Sequence, residues 1–272
     1  MRFALGLAAA MALALGGGTA IAQAPVTPVR LSLGYDGRLI IKVLDIHFDE
    51  EASPDRFSAS ASLRSYGILA LFSRFNVKAS SHGRIDDGGP QPGAFVYDNQ
   101  DGERDRKVQV AWRDGEVVSR SSPAFGNMGD PPASLAQKLA SADPLTQLIR
   151  ITLAPSPAQV CSGAPHFFDG KQLYALEFDH SQPIDLTQDQ RALGLTSAVR
   201  CDVTYHEVAG FKTRHPKKRD AGLKSQINAT FGQMGADGPW VVIKVGAETA
   251  LGQATIELKS ARISHDGRVE QE

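Results

Sequence analysis

The sequence has no excess of charge of either sign. Its 29 Lys and Arg offset 30 Asp and Glu, for a formal net charge of -1. A chain this close to neutral has no bulk electrostatic attraction for nucleic acid. It also lacks any long apolar run: beyond its first residues, nothing approaches the roughly 20 consecutive apolar residues of a membrane-spanning helix. Signatures of chemistry are absent too. There is no G-x-S-x-G elbow, P-loop or dinucleotide fingerprint. His47, His82, His166, His180, His206, His215 and His265 are scattered, none at helical ligand spacing, and no H-E-x-x-H occurs. Catalytic zinc usually needs three protein ligands, so no metal and no cofactor are expected. No internal repeat of fixed period is present. Cysteine is scarce, with two in the whole chain, Cys161 and Cys201.

What is present begins with an export signal. Arg2 is a charged start, Leu5 to Leu15 an Ala/Leu-rich core too short to span a membrane, and Ala20-Ile21-Ala22 an A-x-A cleavage pattern. The expected cut falls between Ala22 and Gln23, because a cut after Ala24 would place Pro25 beside the scissile bond. No cysteine follows the site, so no lipid anchor is indicated. Residues 1–22 therefore read as a signal peptide of bacterial type, and residues 23–272 as a single β-rich domain exported to the periplasm. In that oxidising compartment an even cysteine count points to a Cys161–Cys201 bridge; the alternative is two separate buried thiols.

Most of the mature sequence alternates with period two. Phe57, Ala59, Ala61 and Leu63 interleave with Ser58, Ser60 and Ser62, as a half-buried strand requires. Val199, Cys201, Val203 and Tyr205 interleave with Arg200, Asp202, Thr204 and His206, which turns Cys201 to the core and His206 to solvent. Asp36-Gly37, Asp86 to Pro90, Asp101-Gly102 and Asp114-Gly115 read as turns between strands. Roughly eleven strands are expected at this spacing. Pro123 to Pro132 is a Pro- and Gly-rich linker, followed by a short helix with Leu135 and Leu139 on one side. One helix is well specified. Asp143 is a natural N-cap and Pro144 fits the first helical position. Leu145, Leu148, Ile149 and Leu153 then form an apolar stripe, with Arg150 off it near the C-terminal end. A helix of about ten residues is marginal alone in water. The fold expected is mainly β: a curved antiparallel sheet, an open or half barrel, packed around this central helix.

Several residues invite a chemical reading and each has a plainer one. Cys161 and His166 suggest a nucleophile pair, but a bridged sulfur is not a thiolate. Asp98 to Glu103 is acidic, yet a calcium loop would need an acid at Tyr97, so a hairpin turn is the reading there. Asp143 and Asp169 are carboxylates that could pair in space; a cap and a turn account for both. Ile68 to Phe72 is an apolar knot read as core packing. The loop with Lys212, Arg214, Lys217, Lys218 and Arg219 is the one charge cluster with a direction. It reads either as a solvated loop or as a patch for anionic envelope groups.

Taken in order, Tyr35…Gly37, the Ser81…Gly83 strand end, Asp143-Pro144-Leu145, and Phe168-Asp169-Gly170 with Tyr174 resemble a bacterial envelope family of unknown function, the domain numbered three thousand one hundred and eight. The family pattern usually puts Ser after Asp-Pro-Leu, where this chain has Thr146. The cysteine pair and the basic loop are departures from the pattern or additions to it. The resemblance implies an open β-barrel broadly similar to periplasmic lipoprotein carriers. It implies no activity. The function expected is a non-enzymatic periplasmic protein of envelope maintenance, binding a lipidic, glycan or protein partner. The alternatives are an envelope hydrolase built on Asp143, Asp169 and a histidine, and a structural interaction module.

Overall fold

The structure, a computed structural model, describes residues 28–67, 70, 76–101, 105–212, 227–249, 252–265 and 268–269. The signal segment with its Ala22/Gln23 cut, most of the Ile68 to Phe72 knot, and Arg214, Lys217, Lys218 and Arg219 lie outside these residues; Lys212 is described and exposed.

Seven strands come first: β1 (Val29–Arg38), β2 (Lys42–Ala52), β3 (Arg56–Ser65), β4 (Asn76–Asp86), β5 (Gly89–Asn99), β6 (Arg106–Arg113) and β7 (Glu116–Ser122). Helices α1 (Leu135–Leu139), α2 (Pro144–Thr152) and α3 (Pro157–Val160) follow. The chain continues through β8 (His166–Phe168), β9 (Leu173–Pro183), α4 (Gln188–Ala192), β10 (Leu195–Ala209), β11 (Ile227–Met234), β12 (Trp240–Thr249), β13 (Gly252–His265) and β14 (Arg268–Val269).

These strands form one curved antiparallel sheet in the order β7-β6-β5-β4-β3-β2-β1-β13-β12-β11-β10-β9-β8, with β14 beside β13. Two meanders are thus joined by the pairing of β1 with β13, which runs from Val29↔His265 to Arg38↔Thr255. The path holds thirteen strands, more than the eleven expected from the sequence. The shortest strands, β8 with 3 residues and β14 with 2, are too brief for alternation to register. The Asp36-Gly37 turn is also corrected. Both residues sit inside β1, where Asp36 pairs with Asp45 and Gly37 with Leu44. The chain reverses at residues 39–41 instead. Gly37 is needed there for space, since a Cβ on it would lie 2.8 Å from that of Leu44. Asp114-Gly115 does turn the chain, with φ of 51° and 76° as a type I′ turn requires.

The sheet does not close: β7 and β8 end the strand order without pairing to each other. Side chains reach across instead. Ser119 of β7 donates its hydroxyl to the carbonyl of Gly170, just after β8. Trp112 Nε1 donates to the carbonyl of Lys138 in α1 at 3.3 Å, and its ring meets Phe168 edge-on at 6.4 Å. Gly170 is held at φ 101°, and a Cβ there would lie 2.4 Å from Val108. That close approach gives the Phe168-Asp169-Gly170 motif a steric reason.

Helix α2 lies inside the curve, against β3, β4, β5 and β12. Leu145 and Ile149 are buried as the stripe requires, but Leu153 is 41% exposed because it is the C-cap and has already left the helix. In α1, Leu135 and Leu139 are both exposed; the helix is tied to the sheet through its backbone, where the Lys138 carbonyl accepts from Trp112 of β6. A second apolar cluster surrounds the Cys161–Cys201 disulfide, whose Cα atoms are 5.5 Å apart. Val160, Phe178, Val203, Phe231 and Trp240 belong to it.

The bridge closes a loop across a sequence separation of 40. Replacing both cysteines by Ala should destabilise the protein by on the order of 4 kcal/mol, the chain-entropy value for such a loop. Denaturant melts of oxidised wild type against the double variant measure this. Thiol labelling of the unfolded, unreduced wild type should find no free sulfhydryl.

Candidate functional site

The interior of the curve is built around the way α2 is held. Asp143 is fully buried at its N-cap. Its Oδ1 accepts from the backbone N–H of Leu145 and of Thr146, each at 3.0 Å. Its Oδ2 accepts from Ser81 Oγ at 3.0 Å and from Thr146 Oγ1. Burial pushes the Asp143 carboxyl above its usual range, against the pull of those hydrogen bonds. The residue after Asp-Pro-Leu therefore needs a hydroxyl, and Thr146 supplies it. Farther along the same face, Gln147 Nε2 donates to the carbonyl of His166 at 2.7 Å. Arg150 Nε donates to the carbonyl of Pro90 at 2.9 Å, and its guanidinium also reaches Gln147 Oε1 at 3.3 Å. One polar face thus ties the helix to β4, β5 and β8.

The other face looks into open space. A cavity of about 450 Å³ lies between α2 and the sheet. Leu145, Leu148 and Ile151 form its helical wall, and Leu33, Phe48, Leu63, Val77 and Phe95 its floor. Trp240, Val242 and Val245 of β12 close one side. Its few polar groups include Tyr35, Tyr97 and Thr152. The Trp240 indole N–H is buried with no hydrogen-bond partner among the described residues. Ligand pockets of comparable size, mostly apolar with a few polar groups, are the common form of small-molecule sites.

A wider recess of about 1020 Å³ opens at the C-terminal end of α2, and Thr152 lines both spaces. Glu50 faces it from β2, 6% exposed, accepting from Thr152 Oγ1 at 3.2 Å. With no cation beside it among the described residues, burial pushes its carboxyl up to about 8. Glu50 was legible only by carrying the alternation of β2 beyond Phe48, which places Phe48, Glu50 and Ala52 on one face. Burial, and then the charge of Glu50, push the Tyr35 phenol above its ordinary value.

The carboxylates of the hydrolase alternative are each held by their own backbone donors, though both act on the buried Tyr174 phenol, which burial and then the charge of Asp169 push above its ordinary value, with Asp143 adding to it. Asp169 sits in a separate turn, accepting from the backbone N–H of Lys171 at 2.9 Å and of Gln172 at 2.7 Å. It lines a third pocket, of about 380 Å³, with Tyr97, Arg106, Phe125 and Lys171. The Arg106 guanidinium and the Lys171 ammonium stand over the Phe125 ring at 4.7 and 5.5 Å. His206 Nε2 lies 2.8 Å from Glu177 Oε2 on the exposed surface. Among the described residues, no three His, Cys, Asp or Glu side chains gather as metal ligands, and no helix is long and apolar enough to cross a membrane.

No family model matches the chain, so the family suggested by its short motifs stands as a resemblance. No curated protein matches it either. Among solved structures it is similar to the crystal structure of a β-barrel-like protein of domain of unknown function DUF1849 from Brucella abortus. That similarity has 12% sequence identity and a TM-score of 0.47, and it covers 89% of this chain and 99% of the other.

The two buried carboxylates respond oppositely to removal. Asp143→Ala strands two hydroxyls and two backbone N–H groups, so it should cost roughly 3 kcal/mol, more than an exposed cap. Thermal melts of Asp143→Ala and Asp143→Asn measure the loss, with Asn the milder. For Glu50 the folded carboxyl keeps its proton up to about 8, against an ordinary value of 4.5. The folded state therefore holds more protons than the unfolded one between those values, and stability falls as pH rises through that window. Glu50→Gln should remove the decline and stabilise the protein by on the order of a few kcal/mol at pH 8, with little gain at pH 4. Unfolding curves of both proteins across pH 4 to 9 check the sign.

Proposed function

We propose that this protein is exported to the periplasm, loses residues 1–22, and there binds the apolar chain of a lipidic ligand between α2 and the sheet, without catalysing a reaction. The observation that carries this reading is the cavity of about 450 Å³ with almost wholly apolar walls. A glycan would find few hydrogen-bonding groups there, whereas a hydrocarbon chain needs none. A filled interior would have favoured a purely structural module. The Ala/Leu-rich leader with its A-x-A site supports export. The Cys161–Cys201 disulfide fits an oxidising compartment. Asp143 and Asp169 are each engaged in their own cap or turn, which argues against a hydrolase built on the pair.

Leu148 lines the cavity from the helix, so Leu148→Trp should fill it. Leu135→Trp, on an exposed residue of α1 away from both spaces, serves as the control. Native mass spectrometry of protein purified from its own envelope should find a retained lipid on wild type and on Leu135→Trp, and much less on Leu148→Trp. A fluorescent apolar probe should follow the same order. If wild type retains no lipid and binds no probe, or if Leu148→Trp binds as well as wild type, the cavity is not a binding site.

A further inference from the structure

The recess at the C-terminal end of α2 has a charge pattern that the apolar cavity lacks. Among the described residues its charged lining side chains are Glu50 and Asp237, and no Lys, Arg or His lines it. Glu50 is more than nine-tenths buried, and one hydroxyl, that of Thr152, donates to it. The cations closest to it along the sheet point the other way. Arg30 is on the exposed face of β1 and already paired with Glu51 at 3.0 Å, and Arg262 is exposed on β13. The C-terminal end of a helix carries partial negative charge, so α2 adds to the same potential.

Such a carboxylate is costly to bury alone, and a cation placed on it from outside removes that cost. The form of the cation follows from the walls. Among the described residues no aromatic side chain lines the recess, so they offer no cage for a quaternary ammonium. A carboxylate and helix-end carbonyls are acceptors, which suits a group with several N–H donors. Ile85, Leu153, Met234 and Pro239 supply apolar wall for the carbon atoms next to it.

We propose that this recess is a headgroup site for a primary ammonium, held on Glu50, belonging to an amphiphile whose chain occupies the neighbouring apolar cavity. The proposal rests on the cavity reading above, with Thr152 as the boundary that both spaces share. On the recess side the groups around Glu50 are Thr152 from α2, the Tyr35 phenol from β1, and Asp237 from the β11–β12 connection; on its other side Glu50 borders a surface pocket with Arg30, Asp49, Glu51, His82 and Arg262. Thr152 and Tyr35 stay neutral from pH 6 to 8, so the change over that range is Glu50 losing its proton. Binding the ammonium should then release a proton, and affinity should rise with pH.

The test uses three probes that differ at one end: decylamine, decanol and decanoate. Each is titrated calorimetrically into wild type, Glu50→Gln and Leu148→Trp, with folding checked by thermal melts. Wild type should bind decylamine about tenfold or more tighter than decanol, with decanoate weakest. The preference for decylamine should grow from pH 6 to 8, and buffers of different ionisation heat should reveal proton release. Glu50→Gln should bind decylamine and decanol alike, while decanol affinity stays at the wild-type level. If wild type binds decanol and decylamine equally, or Glu50→Gln keeps the preference, the headgroup site is wrong and the cavity reading stands. If no probe binds wild type, or Leu148→Trp binds all three as well as wild type does, the cavity reading fails and the headgroup site falls with it.

Discussion

A helix of nine residues does not hold itself together in water, and α2 is held from outside by one buried carboxylate. Asp143 collects four donors: two from the first turn of the helix, one from Thr146 and one from Ser81 across in β4. The first three make the helix begin where it does. The fourth fixes it to the sheet. With Gln147 on β8 and Arg150 on β5, the helix is bound at points spread along its polar face. Hydrogen bonds are directional and short, so these contacts set its height above the strands as well as its angle.

That constraint gives a physical account of the cavity. Apolar side chains left to themselves would collapse until the space between α2 and the floor was filled, because an empty cavity costs contact energy in proportion to its size. Here the helix cannot sink toward Phe48, Val77 and Phe95 without breaking bonds on its other side. The cavity remains because the polar face is satisfied first. The disulfide adds to this at the far wall, where Cys161 and Cys201 share an apolar cluster with Trp240, a residue that also lines the cavity. Binding a chain in such a space restores the missing contacts without any change in the hydrogen bonds.

The sheet and the helix were legible because both rest on local rules. Alternation in Phe57 to Leu63 and Val199 to Tyr205 marks strands in which Phe57, Ala59, Val199, Cys201 and Val203 are buried and Ala61, Leu63 and Tyr205 half-buried. Asp143-Pro144 marks a helix start whatever surrounds it. What the sequence did not disclose depends on partners far along the chain. Asp36-Gly37 has the composition of a turn, but its pairing with β13 keeps both residues in a strand. Thr146, Gln147 and Thr152 look like the wet side of an amphipathic helix, yet all are buried, because β4, β8 and β2 supply partners for them in turn. Glu50 between Asp49 and Glu51 reads as part of an acidic run on the surface. Only the parity of β2, fixed by Phe48 and Ala52, turns it inward.

Glu50 and Asp143 are the same kind of group in the same kind of place, and their surroundings separate them. Both are buried, and burial raises both carboxyls. Asp143 has its oxygens filled by donors from the helix and from β4, so its burial is accounted for by structure alone. Glu50 has a single hydroxyl donor and an open recess in front of it. A glutamine there would have no charge to bury, so the fold would be steadier at neutral pH. A buried carboxyl with one hydroxyl donor among the described residues, facing a recess, is the feature on which the proposed headgroup site rests. The contrast with Asp143 separates an acid whose oxygens the fold fills from one that is buried beside an open recess.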